Sequence, residues 1–94
     1  MSEVIIDVRE PHEFEGNHAT NSINVPLSSF NSLAPEILKH FKDSKIVFMC
    51  HSGARAMQAL MQAKKIGCRS EQKCEVYSGG IIRWMASGQP TEKR

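Results

Sequence analysis

Two short apolar runs restrict the possible folds of this chain more than any other feature. Residues 4–8 read Val-Ile-Ile-Asp-Val, and residues 45–49 read Lys-Ile-Val-Phe-Met. Neither run alternates between apolar and polar side chains, which predicts strands that are covered by other elements on both faces. Two further short runs, at residues 23–25 and 75–77, are predicted to add strands to the same sheet.

Helical patterns lie between the predicted strands. A single turn is predicted at residues 11–14, followed by a helix with Pro35 in its first turn. The apolar face of that helix consists of Leu33, Ile37, Leu38 and Phe41. A third helix is predicted at residues 54–66, ending at Gly67, and a last one at residues 81–87. The side chains expected to pack inward from these two helices are Met57, Leu60, Met61, Ile81, Trp84 and Met85.

The alternation of strands and helices predicts an α/β domain with a mainly parallel sheet. A chain of 94 residues has room for one hydrophobic core, so residues 1–94 are expected to form a single domain. In open parallel sheets the functional site lies at the carboxyl ends of the strands. The residues that follow the predicted strand at 45–49 are therefore the first candidates for a site.

Charge and hydropathy exclude several classes of partner. The net charge is +2 and the basic residues are scattered, so we expect no nucleic-acid partner. No apolar stretch approaches the roughly 20 residues that cross a bilayer, and the first ten residues do not resemble a secretory signal. We therefore expect a cytoplasmic protein with reduced cysteines and no membrane partner, and nothing in the sequence indicates more than a monomer.

Cys50 directly follows the run at 45–49, and four residues separate it from Arg55: His51, Ser52, Gly53 and Ala54. A loop that leads from a strand into a helix turns backbone N–H groups inward and forms a cradle for an anion. The helix N-terminus and Arg55 favour the thiolate form of Cys50 over the thiol. Gly53 permits a tight turn, and the small side chains of Ser52 and Ala54 leave the loop open. A cysteine at a strand end is usually a small buried hydrophobe, so the whole combination predicts a nucleophile that binds an anionic substrate.

The pattern Cys50-x-x-Gly53-x-Arg55 resembles the active-site loop of rhodanese-like domains. Two other segments resemble signatures of that family. Residues 7–26 contain Asp-Val-Arg, Glu-Phe, a histidine and Ile-Asn-Val-Pro, and residues 77–90 contain Tyr-Ser-Gly-Gly-Ile, a tryptophan and Gly-Gln-Pro. The resemblance extends over residues 4–90.

This resemblance implies a fold. It is a three-layer α/β domain with a mainly parallel sheet of four or five strands flanked by helices. The family usually has a further strand and helix before the Asp-Val-Arg motif, so the resemblance implies a domain shortened at its N-terminus.

The resemblance also implies a reaction. A sulfurtransferase of the thiosulfate type would move a sulfane sulfur from a small anionic donor to cyanide, a thiol or a sulfur-acceptor protein, through a persulfide on Cys50. Backbone N–H groups of His51 to Arg55 would hold the persulfide, and Arg55 would bind the donor. Asp7 and Arg9 are implied to lie behind these groups, where they pair either with the loop or with each other.

Other readings remain open at this point. A persulfide carrier or sensor without turnover would need the same loop, and an interaction module without catalysis is opposed by the presence of Cys50 and Arg55. A cysteine phosphatase or an arsenate reductase is a fourth alternative, and the spacing opposes it. Cysteine phosphatases of similar fold have five residues between cysteine and arginine, whereas this chain has four. His51 is interpreted either as a group that steers anions or as a surface side chain.

Glu13 and His18 are expected to hold the loop after the first strand rather than to act as acid or base. Cys68 and Cys74 do not have the spacing of zinc-ligand pairs, so no metal and no cofactor are expected. They are interpreted as incidental thiols, and a resolving role stays open if either can reach Cys50.

Overall fold

A computed structural model describes residues 3–66 and 73–93 of the chain. Its elements are β1 (Glu3–Asp7), α1 (Pro11–Gly16), β2 (His18–Ala19), β3 (Ile23–Asn24), a 3-10 turn (Leu27–Ser29), α2 (Phe30–His40), β4 (Lys45–Met49), α3 (Ala54–Ile66), β5 (Cys74–Val76), α4 (Gly80–Ala86) and β6 (Thr91–Glu92). Within the described ranges, no helix is long and apolar enough to cross a membrane.

The main sheet has four parallel strands in the order β3-β1-β4-β5, which confirms the predicted α/β fold. The two continuously apolar runs form its central strands, β1 and β4, and Asp7 lies opposite Met49 at their common carboxyl edge. A second, antiparallel pair consists of β2 and β6. The sequence did not predict this pair, because each strand has only two residues and such a length carries no periodic pattern.

Helices cover both faces of the sheet, as the three-layer prediction required. Ile6, Ile46 and Phe48 project toward α2 and α3 and form the larger hydrophobic core. Met49 projects to the opposite face, where it packs with Ile81 of α4 in a smaller cluster. This alternation follows from the period of two in a strand, and it explains why polar side chains are scarce in the central strands.

Helix α2 begins earlier than predicted. It starts at Phe30, directly after the 3-10 turn, so Pro35 lies inside the helix rather than in its first turn. The missing N–H of Pro35 leaves the carbonyl of Asn31 without its helical donor, and Asn31 is exposed, so water can take that place. The buried face contains Phe30, Ala34 and Leu38, whereas Leu33 is 44% exposed and does not pack inward as predicted.

The prediction that methionines form the buried face of α3 is wrong. Met57 is 50% exposed and Met61 is 59% exposed. The fully buried side chains are instead the alanines at positions 56, 59 and 63, while Leu60 packs at the margin of the core. Small side chains allow a helix to lie close to its neighbours, and they are hard to recognise in a sequence because alanine is common on every helix face.

Helix α4 is predicted correctly in position and only partly in packing. Ile81 is buried, and the half-buried Trp84 contacts the Tyr77 ring with centroids 5.6 Å apart. The indole N–H of Trp84 donates to the Pro90 carbonyl at 2.8 Å. Met85 is 44% exposed, so its predicted packing into the core is wrong.

The described cysteines differ in state. Cys50 is free, whereas Cys74 is disulfide-bonded, so the expectation of reduced cysteines is wrong for Cys74. The predicted helix end at Gly67 and the predicted incidental thiol of Cys68 lie outside the described residues.

The packing of α3 makes a prediction for two substitutions. Ala59→Leu inserts a large side chain into a filled space and should lower the free energy of unfolding by about 1–3 kcal/mol. Met57→Ala removes an exposed side chain and should change it by less than about 0.5 kcal/mol. Urea denaturation followed by circular dichroism measures both. A loss of about 2–5 kcal/mol in Met57→Ala, as for a buried methionine, would instead place the methionine face in the core.

Candidate active site

Cys50 lies at the carboxyl edge of the sheet, directly after β4. The two central strands end there side by side, and the chain leaves β1 toward β3 but leaves β4 toward β5. A crevice at such a reversal of strand order is the usual ligand site of open α/β sheets. Cys50 itself is only 1% exposed and belongs to the core beneath α2 and α3.

The loop between β4 and α3 turns around the Cys50 sulfur. The backbone N–H of Gly53 donates to Cys50 Sγ at 3.0 Å. Gly53 has φ of +124°, a conformation that side chains disfavour, and its carbonyl accepts the first α3 bond, from the Met57 N–H at 3.1 Å. Of the described loop residues, Gly53 is the one whose N–H contacts the sulfur, while His51 and Ser52 are exposed.

Helix α4 holds the loop from behind. The Ile81 N–H donates to the Cys50 carbonyl at 2.8 Å, and the Ile82 N–H donates to the His51 carbonyl at 3.4 Å. A trans peptide directs its C=O and N–H in opposite directions. Because α4 binds these two carbonyls, the N–H groups of His51 and Ser52 point away from α4. This orientation suits the predicted cradle for an anion.

Gly80 makes this close approach possible. A Cβ atom at Gly80 would lie 2.4 Å from the carbonyl oxygens of both Cys50 and His51. The residue also has φ of +60°. In the sequence, Gly79 and Gly80 directly precede the predicted last helix and belong to the motif Tyr-Ser-Gly-Gly-Ile. The paired glycines were the available signal for a close backbone contact, but the sequence does not say which segment makes it.

Arg55 is bound by Glu13 of α1. Its two terminal nitrogens donate to the two carboxylate oxygens at 2.7 and 3.0 Å, and the side chains are 33% and 26% exposed. The hydrogen bonds from Arg55 hold the pKa of Glu13 well below its ordinary value of 4.5, at about 2. The same contact raises the pKa of Arg55, with smaller contributions from Cys50 and Asp7. From the sequence, Glu13 is expected to hold the loop after the first strand, and no local pattern identifies Arg55 as its partner.

Asp7 and Arg9 pair with each other rather than with the Cys50 loop. The guanidinium of Arg9 donates to both carboxylate oxygens of Asp7 at 2.8–3.1 Å, and both residues are buried. Arg9 also donates to the Asn17 carbonyl at 2.7 Å, and the Asn24 side chain donates to the carbonyls of Asp7 and Arg9. This network joins the end of β1 to α1 and β3. Because Glu13 belongs to α1, its position in the site depends on the network.

His18 lies apart from the Cys50 loop. Its Nδ1 donates to the Phe14 carbonyl at 2.6 Å, its ring stacks on the Phe14 ring, and its Nε2 is 3.3 Å from a Glu92 carboxylate oxygen. An open pocket beside it is lined by Phe14, His18, Ser22, Ile23, Asn24, Glu92 and Lys93. None of residues 50–55, which form the Cys50 loop, lines this pocket. Among the described residues, no group of three or more His, Cys, Asp or Glu side chains is placed to hold a metal ion.

The sequence model of one protein family, the rhodanese-like domain, matches residues 1–87, which include the whole site. This chain belongs to the rhodanese-like domain family. The match covers β1, the Cys50 loop and α4 and ends before Gly88-Gln89-Pro90, so the resemblance is confirmed at the level of the family.

Relatives of this rhodanese-like domain include longer proteins. An uncharacterized protein of Synechocystis is 36% identical over 90 residues, which are 96% of this chain and 47% of that protein. The tRNA uridine(34) hydroxylase of Cronobacter sakazakii is 33% identical over 84 residues, which are 86% of this chain and 23% of that protein. The chain thus spans about half or less of the length of these relatives.

Solved structures have the same fold. A rhodanese-related protein from Thermoplasma volcanium superposes with a TM-score of 0.83 at 29% identity, covering 99% of this chain and 86% of that one. A thiosulfate sulfurtransferase from Pseudomonas aeruginosa superposes with a TM-score of 0.80 at 18% identity, covering 98% of this chain and 17% of that one. The second likeness shows the shared fold.

The contact between Gly80 and the loop predicts a large effect of one methyl group. Gly80→Ala should lower the free energy of unfolding by about 3 kcal/mol or more, because the Cβ meets two carbonyls and the backbone is left-handed. Gly16→Ala is the matched control, since a Cβ there meets nothing within 4 Å. Urea denaturation of both variants compares them, and equal stabilities would contradict the close approach of α4 to the loop.

The pair of Glu13 and Arg55 predicts a pH dependence. Unfolded chains protonate this carboxyl near its ordinary pKa of 4.5, whereas the folded domain does so only near 2. Stabilisation by the pair is therefore complete above pH 4.5 and is lost as pH falls toward 2. Because the pair is partly exposed, Glu13→Gln should cost less than about 1 kcal/mol at pH 6.

Urea denaturation at pH 6, 4 and 2.5 checks this dependence. The difference between the wild type and Glu13→Gln should shrink toward pH 2.5. Glu15→Gln removes the same charge from an exposed position of the same helix and should show no such trend. A constant difference across this pH range would argue against the ion pair.

Proposed function

We propose that this rhodanese-like domain is a sulfurtransferase that carries a sulfane sulfur on Cys50. The observation that carries the proposal is the free thiol at the carboxyl edge of the sheet, with the Gly53 N–H 3.0 Å from its sulfur. Membership of the rhodanese-like family supports the same reaction class. The proposed donor is a small anion such as thiosulfate, and the proposed acceptor is cyanide, a thiol or a sulfur-acceptor protein.

The proposed reaction has two steps. The Cys50 thiolate attacks the outer sulfur of thiosulfate, a new S–S bond forms, and sulfite leaves with the electron pair of the broken S–S bond. The acceptor then attacks the outer sulfur of the Cys50 persulfide, and the thiolate leaves. With cyanide as acceptor the product is thiocyanate, and the enzyme returns to its starting state without a net oxidant or reductant.

The loop geometry supports stabilisation of the persulfide anion. The Gly53 N–H already donates to Sγ, and the N–H groups of His51 and Ser52 are turned away from α4 by the carbonyl contacts. Donors that are held in place before the reaction stabilise developing negative charge without reorganisation. We assign this role to the backbone of residues 51–55, and we expect the Ser52 and Ala54 side chains to contribute little.

A persulfide carrier without turnover is the alternative, and two observations favour it. Cys50 is almost fully buried, and Arg55, for which the family resemblance implies donor binding, already holds the Glu13 carboxylate. Both features slow the entry of a free dianion. In this alternative the domain receives sulfur from one protein and delivers it to another.

Intact-mass spectrometry tests the proposal directly. We expect the reduced protein to gain one sulfur atom after incubation with thiosulfate, and Cys50→Ser to gain none. Addition of cyanide should remove the sulfur and release thiocyanate over many turnovers. The rate should fall to the uncatalysed level in Cys50→Ser, because both steps of the proposed reaction take place at the Cys50 sulfur.

Each outcome separates the alternatives. Sulfur loading without turnover would favour the carrier. If Cys50 takes up no sulfur from thiosulfate or from a more reactive persulfide donor, the sulfurtransferase proposal is wrong, and the same sample should be assayed for phosphatase and arsenate reductase activity.

A further inference from the structure

The arginine of the loop is not free to attract an anion. Arg55 and Glu13 together have no net charge, and their two hydrogen bonds are aligned in parallel. Two other basic side chains are also paired, Arg9 with Asp7 and Lys45 with both Glu3 and Glu75. A dianionic donor therefore gains little from any of these groups. If the site attracts an anion through a side chain, another cation must supply the charge.

Arg83 of α4 lies next to a residue that adjoins the Cys50 loop. Its stem covers Gly79, since a Cβ at Gly79 would lie 2.7 Å from Arg83 Cβ and 2.9 Å from Arg83 Cδ. Gly79 in turn adjoins the Cys50 loop, because a Cβ at Gly53 would lie 3.8 Å from the Gly79 nitrogen. Gly53 is the residue whose N–H contacts the Cys50 sulfur. Arg83, Gly79 and Gly53 are thus successive neighbours, and the last of them contacts the sulfur.

The guanidinium of Arg83 is held only by weak contacts. It donates from Nη1 to the Ser78 carbonyl at 3.3 Å, and its central carbon lies 5.8 Å from the centre of the Tyr77 ring. Arg83 is exposed, and among the described residues no carboxylate forms an ion pair with it. A neutral carbonyl at 3.3 Å and a half-buried ring 5.8 Å away compete weakly with an anion for a guanidinium.

We propose that Arg83 is the specificity-determining cation that draws a small anionic sulfur donor, of the thiosulfate class, to Cys50. This inference rests on the proposed function for the identity of the donor, but the attraction of an anion to Cys50 can be measured without sulfur transfer. Arg83 acts on the approach and binding of the anion, and Gly53 acts on the sulfur itself. The side chain therefore affects the apparent affinity for the donor more than the rate of the chemical step.

Alkylation of Cys50 with two reagents of different charge tests the proposal. In both reactions the sulfur forms a bond to the CH2 carbon and iodide leaves, but iodoacetate is an anion and iodoacetamide is neutral. We expect Arg83→Gln to lower the ratio of the iodoacetate rate to the iodoacetamide rate about three- to tenfold at low salt. The effect should shrink at 0.5 M salt. Peptide mass spectrometry assigns the modification to Cys50, and pH 8 keeps ordinary histidines neutral.

Two variants serve as controls. Arg83→Lys keeps the charge and should retain most of the wild-type ratio. Lys64→Gln removes one positive charge from an exposed position near the opposite end of α3 and should leave the ratio unchanged. The iodoacetamide rate by itself reports access to Cys50, so a general distortion of the loop in Arg83→Gln would change both rates together. Equal ratios in wild type and Arg83→Gln overturn the proposal, and so does a Cys50 that reacts with neither reagent.

Sulfur loading completes the experiment. With thiosulfate, Arg83→Gln should raise the concentration for half-maximal loading about three- to tenfold and leave the maximal loading rate within twofold of wild type. An unchanged half-maximal concentration would overturn the role of Arg83 while the sulfurtransferase proposal stands. Failure of the wild type to load sulfur, together with a charge-dependent alkylation ratio, would overturn the sulfur donor and keep Arg83 as the anion-attracting group.

Discussion

The contact between the start of α4 and the carbonyls of Cys50 and His51 is the interaction on which the site depends. It brings the end of the chain to the loop after a central strand, and it does so without any side chain. Because α4 binds the carbonyl side of these peptides, their N–H side is left for an anion. Gly80 is required there, since any larger residue would separate the two segments. The loop conformation is therefore a property of the folded domain and not of the loop alone.

The charged side chains around the loop form ion pairs rather than a basic patch. Asp7 with Arg9 is fully buried and connects the central strand to its neighbours, whereas Glu13 with Arg55 is half-buried and connects α1 to α3. The buried pair of Asp7 and Arg9 is costly to break, because removal of one partner leaves an uncompensated charge. The pair of Glu13 and Arg55 contributes less to stability, because it is partly exposed. We interpret both pairs as supports for the site. We propose Arg83, which no motif in the sequence marked, as the cation available to an incoming anion.

Alanines, and not the predicted methionines, form the buried face of α3. A stripe of methionines with helical periodicity predicts a core face when hydrophobicity is the only measure. The helix packs through its alanines instead, and Met57 and Met61 remain at the surface. For Pro35 the reason is similar, since the burial of Phe30 starts α2 before the proline. In these segments the space between the helix and the sheet, rather than local sequence preference, decides which side chains are buried.

The sequence by itself determined the α/β class, the central position of two strands, the helix after Cys50 and the spacing of Cys50, Gly53 and Arg55. Each of these follows from local periodicity or from neighbours within one turn of chain. Only the tertiary structure decided that Glu13 binds Arg55, that Gly80 lies against the loop carbonyls and that Gly79 lies beside Gly53. These contacts join residues that are far apart in the chain, and their partners depend on how the strands order and how closely the helices pack. Sequence patterns predict local structure only, because long-range contacts depend on how packing brings distant segments together.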